Sequence, residues 1–229
     1  MKLDETFLIC GAQPPSVSAD RIQVGAFQPR SLVAGPGERA VLWVAGCNRR
    51  CPQCMKPELF SFEAGQSISV DILAERILAI PGLGGVTYSG GEPFEQAAAL
   101  GALSRKLRAN GLSILVYSGY RLQALKEEPA RFEPLLQETD ILIDGEYRHE
   151  LPGPTRWRGS MNQNVHVLSA RGEHDERISD PVREIQVSLT DSGVRISGFT
   201  SPSVEHELAA ELATRGIILS ATRGAESFP

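Results

Sequence analysis

The chain has 229 residues, 41% of them hydrophobic and 22% charged, with a formal net charge of −5. These are the proportions of a globular protein with one sizeable core, or a core plus a small appendage. The acid excess leaves no basic patch for nucleic acid and no apolar run nears the roughly 20 residues that span a bilayer, so a cytoplasmic protein with neither partner is expected.

In chain order, residues 1–20 read as a leader with little structure, ending in the Pro/Ser-rich Gln13-Pro14-Pro15-Ser16. One early Lys followed by two acids and a short apolar run makes a poor signal peptide. Arg21 to Phe27 is a first strand, and the apolar run Ala40 to Val44 a second that leads directly into Gly46-Cys47. Val70–Ile80 forms a helix with Ile72, Leu73, Ile77 and Ile80 on one face, Ser69 as N-cap and Pro81 as terminator. Gly85 to Tyr88 is a short β run into Ser89-Gly90-Gly91-Glu92-Pro93. A helix from Glu95 to Asn110 follows, closed by Gly111. Leu112–Tyr117 is a strand, Leu122–Leu136 is helical in two pieces, broken by Pro129 and Pro134, and Ile141–Ile143 is a strand ending at Asp144-Gly145.

Strands alternating with helices predict an α/β fold with a parallel sheet and right-handed crossovers, here a partial (β/α) barrel over residues 21–170. Past that point the texture changes. Arg171–Arg183 is charged and loop-like. Glu184–Leu189 and Val194–Phe199 alternate around Asp191-Ser192-Gly193 as a hairpin does, and Ser203–Thr214 is an amphipathic helix. Residues 171–229 are therefore expected to be a small appended α+β unit.

Cys47, Cys51 and Cys54 make a CxxxCxxC loop at the end of the second strand, where α/β folds place reactive groups. Three of four cysteines in one loop point to metal rather than disulfides. A zinc site needs a fourth ligand, for which Cys10 or one of four histidines is the candidate. A 4Fe–4S cluster held by three thiolates instead leaves one iron open to an outside ligand. Gly90 and Gly91, at the exit of the next strand, let the backbone approach a ligand closely. No Ser–His–Asp order, P-loop or paired-carboxylate arrangement competes with the cysteines.

With the Gly-Gly-Glu-Pro turn after it, the cysteine loop resembles that of the radical S-adenosylmethionine (SAM) enzymes. Val116-Tyr117-Ser118-Gly119-Tyr120, Asp144-Gly145 and Arg158-Gly159-Ser160-Met161-Asn162-Gln163 resemble strings in the activating enzymes of class III ribonucleotide reductase, so the chain resembles the group of glycyl-radical activases to which the pyruvate formate-lyase activase also belongs. Ala34-Gly35-Pro36-Gly37 resembles a further string before the first cysteine. The likeness covers about Arg21 to Leu168.

The resemblance implies that Cys47, Cys51 and Cys54 hold a 4Fe–4S cluster whose open iron takes SAM. It further implies that Gly90, Gly91 and Glu92 hold the amino group of SAM, that Gln53 and Met55 flank it, and that Ser118, Asp144 and Arg158 meet its polar ends or the substrate. Gln53 and Met55 depart from the residues common in that group, and Asn164 replaces a frequent basic one. Asn162 and Gln163 are expected to close a loop through the backbone, His166 to lie on a strand, and Trp43 and Trp157 to pack. The implied partners are a glycyl-radical enzyme and an electron donor such as flavodoxin or ferredoxin. A small metabolite or peptide as the substrate, and a non-catalytic metal-binding module, are the alternative functions.

Overall fold

A computed structural model describes residues 19–153, 156–172, 184–190, 193–198 and 202–217. The expected leader, with Cys10, lies outside these residues apart from its last two, as do most of the Arg171–Arg183 segment and the turn residues Asp191 and Ser192.

Four strands with continuous apolar runs make the centre of the molecule: β2 (Arg39–Val44), β4 (Gly85–Gly90), β5 (Ser113–Ser118) and β6 (Ile141–Asp144). They pair in parallel in that order. Both faces of each are covered, which is why the runs do not alternate with polar residues. On one face Leu42, Val86, Tyr88, Ile114, Val116 and Leu142 join the main core. On the other, Leu115, Ile141 and Ile143 close a smaller cluster around Trp157. Antiparallel strands extend the sheet on both sides. β1 (Arg21–Ser31) pairs with β2, β3 (Gln66–Ser69) with β1, and β7 (Asn164–Val167) with β6, giving the order β3-β1-β2-β4-β5-β6-β7. The parallel α/β arrangement expected from the sequence is present, within a mixed sheet.

The helices α1 (Val70–Leu78), α2 (Ala97–Ala109), α3 (Leu122–Glu127) and α4 (Pro129–Leu136) supply the apolar side chains that meet the main core. Ser69 caps α1, its hydroxyl accepting from Ile72 N–H at 3.2 Å. Gly111 takes φ +89° just past α2, where its N–H bonds Arg108 O, as a C-terminal glycine should.

Three expectations need correcting. Ile72 is exposed, because the buried stripe of α1 runs through Val70, Leu73, Ala74 and Ile77 instead. Glu95 lies in a separate 3-10 turn, Pro93–Gln96, before α2 begins. Pro129 opens α4, its missing N–H costing nothing there, but Pro134 sits inside that helix rather than breaking it. Strand β3 was not expected: Gln66-Ser67-Ile68-Ser69 is mostly polar and buries only Ile68 at the sheet edge.

The hairpin and helix expected after residue 170 are β8 (Ile185–Thr190), β9 (Gly193–Gly198) and α5 (Pro202–Thr214). Side chains of the hairpin reach the main sheet and the loop before β7. Gln186 Oε1 accepts from Leu32 N–H at 2.8 Å, Ser197 Oγ donates to Gln28 Oε1 at 2.9 Å, and Glu184 pairs with Arg156 at 2.7 Å. No described helix is long and apolar enough to cross a membrane.

Candidate metal centre

The C-terminal ends of the four parallel strands carry the cysteine loop, the Gly90–Glu92 turn, Ser118-Gly119 and Asp144-Gly145, one per strand. The first two are joined through main chain. Gly91 N–H donates to Val44 O at 2.7 Å, and Glu92 N–H to Gly46 O at 2.8 Å, so the β2–β4 ladder continues beyond the strands to Cys47. That continuation explains the glycines. A Cβ on Gly91 would lie 2.3 Å from Gly46 O, and one on Gly90, at φ +100°, 2.6 Å from Val44 O. A fold-back from the 3-10 turn Pro57–Leu59 supports the loop from outside: Gly46 N–H meets Leu59 O and Cys47 N–H meets Phe60 O.

Cys47 and Cys51 are buried, Cys54 is half-buried, and all three are free thiols. Main-chain N–H groups point at each sulfur: those of Arg49 and Arg50 at Cys47, of Tyr147 at Cys51, and of Lys56 at Cys54, the last at 3.5 Å. Burial pushes the Cys47 thiol up and the Cys51 thiol to about 11, against the pull of these donors. Among the described residues no three His, Cys, Asp or Glu side chains converge on one point, as a single ion requires. A cubane takes each thiolate on a different iron, and soft sulfur under N–H donors is the environment it needs. The residues present fit a 4Fe–4S cluster.

Glu92 is 1% exposed. Its Oε1 accepts from Phe94 N–H (3.1 Å) and the Ser118 hydroxyl (3.0 Å), and its Oε2 from Gly119 N–H (2.7 Å). Burial outweighs these donors and pushes its carboxyl up to about 7. Ser118 is buried with its hydroxyl on Glu92, and it also accepts from Tyr120 N–H at 3.1 Å. Asp144 accepts from Leu122 N–H (2.7 Å) and Asn164 Nδ2 (2.8 Å), and pairs with Arg121 (3.4 Å) and His166 Nε2 (3.1 Å). Arg158 donates to Gln163 O at 3.2 Å. Gln53 and Met55 are exposed on the cysteine loop, Gln53 at φ +54°.

The loop around Arg158 closes through the side chains expected for it. Gln163 Oε1 accepts from Gly159 and Ser160 N–H while its Nε2 reaches Gly145 O, and Asn162 Nδ2 reaches Glu146 O. His166 lies on β7 opposite Leu142, and Trp157 is buried.

A family described as "4Fe-4S single cluster domain" matches residues 33–166. The anaerobic ribonucleoside-triphosphate reductase-activating protein of Escherichia coli (strain K12) is 32% identical over 155 residues, covering 62% of this chain and 96% of the relative. That of Salmonella typhi is 32% identical over 152 residues with the same coverage. That of Enterobacteria phage T4 is 31% identical over 144 residues, covering 60% and 88%. The chain belongs to this family of 4Fe–4S activating proteins. It carries the hairpin and α5 in addition, since the family match ends at residue 166.

Sequence reading missed several residues that hold the site together. Gln96 is buried and bridges two elements: its Oε1 accepts from Gln23 N–H, and its Nε2 donates to Ala45 O and Gln23 O. Arg49, between two of the cysteines, lies over the Tyr120 ring at 4.9 Å. Tyr120 in turn donates to Glu95 at 2.6 Å, and Arg131 donates to the same carboxylate at 2.6 Å. The one available signal was the run Glu92 to Gln96 itself, where polar residues recur beside a glycine turn.

Proposed function

We propose that the chain is a radical SAM activase, which cleaves SAM at its cluster and draws a hydrogen atom from a backbone glycine of an anaerobic ribonucleoside-triphosphate reductase. The observation that carries this reading is the main-chain pairing of Gly46 with Gly91 and Glu92. It fixes the cysteine loop beside the glycine turn that would receive SAM. Cys47, Cys51 and Cys54 would hold the cluster, which when bound supplies the electron that splits SAM into methionine and a 5′-deoxyadenosyl radical.

The Gly90–Gly91–Glu92 turn receives the amino group of SAM. Glu92 holds the β4 exit against the β5 exit while doing so, through Ser118 and Gly119. Exposed Gln53 and Met55 flank the bound nucleoside. Asp144 fixes the ends of β6, β7 and α3, and Arg158 braces its own loop, so we read both, with Ser118, as groups that position the mouth. We read the seven-stranded sheet as a partial barrel whose open side would admit a protein loop. The reaction runs in the cytoplasm on electrons from a flavodoxin or ferredoxin, with neither nucleic acid nor membrane as partner.

The test is 5′-deoxyadenosine by mass spectrometry, after anaerobic cluster reconstitution and incubation with SAM and dithionite. The wild type should form the nucleoside, and a Cys47→Ala, Cys51→Ala, Cys54→Ala variant should not. Adding a class III reductase should then give a glycyl-radical EPR signal on that partner. A full cluster that yields no nucleoside even with the reductase present would sink the reading.

A further inference from the structure

We propose that Arg49 is the cation that receives the carboxylate of SAM, an assignment that rests on the SAM reading above. Arg49 Nε is buried and has no hydrogen-bond partner, and among the described residues no carboxylate pairs with its guanidinium. Arg121, past the β5 exit, and Arg131, on α4, are each matched, to Asp144 and to Glu95. A buried donor without an acceptor is costly, and a guanidinium edge in that state fits a ligand anion.

The location follows from Gly119. A Cβ placed there would stand 3.3 Å from Arg49 Nε and 3.4 Å from Glu92 Oε2, so the two side chains flank the same α-carbon. Arg49 is also fixed in direction. Its guanidinium carbon lies 4.9 Å from the Tyr120 ring centroid, and that ring is held by its hydroxyl on Glu95 and by packing on Phe132 at 5.1 Å. The ring holds the guanidinium through its charge, and acceptors are met at the N–H edge, of which Nε has no partner.

SAM has a single anionic group, its α-carboxylate, attached to the same carbon as the amino group. If the amino group sits at the Gly90–Glu92 turn, the carboxylate falls within a few ångströms of it. Arg49 Nε is the unpaired donor beside that turn. The assignment also bears on Gly119: a Cβ there would press on Arg49 and shift it by a few tenths of an ångström.

Equilibrium binding to the full-length, cluster-loaded protein tests this without turnover, using SAM and 5′-methylthioadenosine, which lacks the amino acid moiety. Iron and sulfide analysis confirms loading of each variant. Arg49→Ala should weaken SAM binding on the order of 10- to 100-fold and leave 5′-methylthioadenosine unchanged. Arg49→Lys, which keeps the charge but not the planar edge, should fall between. Equal loss for both ligands, no loss for SAM, or failure of both variants to hold a cluster would overturn the proposal and leave Arg49 as a loop brace. A cluster-loaded wild type that does not bind SAM would instead overturn the SAM reading, and the proposal with it.

Discussion

Arg39 is fully buried, and among the described residues no carboxylate pairs with it. Its five N–H groups are all spent on neutral acceptors: Thr87 Oγ1, Pro36 O, Ser113 Oγ, Val86 O and Ser113 O, at 2.8 to 3.1 Å. Burial lowers its pKa to about 10, which still leaves it charged at neutral pH. One side chain therefore joins β2, β4 and β5 at the end of the sheet away from the cysteines. Arg39→Met orphans several of those acceptors and should cost about 3 kcal/mol in chemical denaturation of the cluster-free protein. Asp144 acts at the other end. Burial opposes its ionisation, but the Leu122 N–H, the Asn164 amide and His166 hold its carboxyl below the ordinary 3.8. A depressed carboxylate stabilises above its unfolded pKa and loses that contribution as pH falls through the folded one. Asp144→Asn should therefore lower Tm at neutral pH, and the gap from the wild type should close as the solution is taken below about pH 4. A gap that stays constant with pH would remove the charge from the argument.

Between elements, contact is set by glycines as much as by apolar side chains. A Cβ on Gly101 would stand 2.0 Å from Pro134 O, so α2 and α4 touch backbone to backbone there. Gly101→Ala should force the helices apart and cost about 1–3 kcal/mol, read by thermal unfolding. Gly91→Ala meets Gly46 O instead, and should reduce iron retained per chain after reconstitution more than it lowers Tm. Neither contact was visible in the sequence, because a glycine gives no sign of which distant carbonyl it admits. What was visible follows from periodicity and spacing. The buried runs of β2, β4, β5 and β6, the cap at Ser69 and the stop at Gly111 are local signals, and so is the CxxxCxxC loop. Strand β3 was missed because its pairing with β1, rather than its composition, makes it a strand. Ile72 was misplaced because an apolar residue beside a buried stripe satisfies the same pattern. Of the candidate site, the cysteine loop and the glycine turn were legible. The internal engagement of Glu92 and Ser118 was not, since it depends on two strand exits meeting 26 residues apart. Arg49 was hidden in the same way: its relation to Gly119 and Tyr120 exists only in the folded chain.

The molecule as a whole adds a hairpin and a helix to a unit that spans nearly all of its bacterial relatives' length. The hairpin is fastened on two sides. Gln186 and Ser197 bond the end of β1, and Glu184 pairs with Arg156, which stands next to Trp157 and two residues from Arg158. Arg156 is 6% exposed, so its guanidinium relies on partners inside the protein, and Glu184 supplies one from the added segment. This connects the hairpin to the loop that Gln163 and Asn162 close over Gly145 and Glu146, beside Cys51. A double-mutant cycle with Glu184→Gln and Arg156→Met measures that connection. Glu184 is partly exposed, so the coupling is discounted from that of a fully buried pair to about 1–2 kcal/mol. Glu184→Gln alone should lower Tm more than it does in the Arg156→Met background, where the guanidinium that Glu184 meets is already gone. Nucleoside formation should fall less than stability in both, because the pair braces the loop without reaching the cysteines. Zero coupling would mean that the Arg156–Gln163 loop keeps its shape without the ion pair to the hairpin.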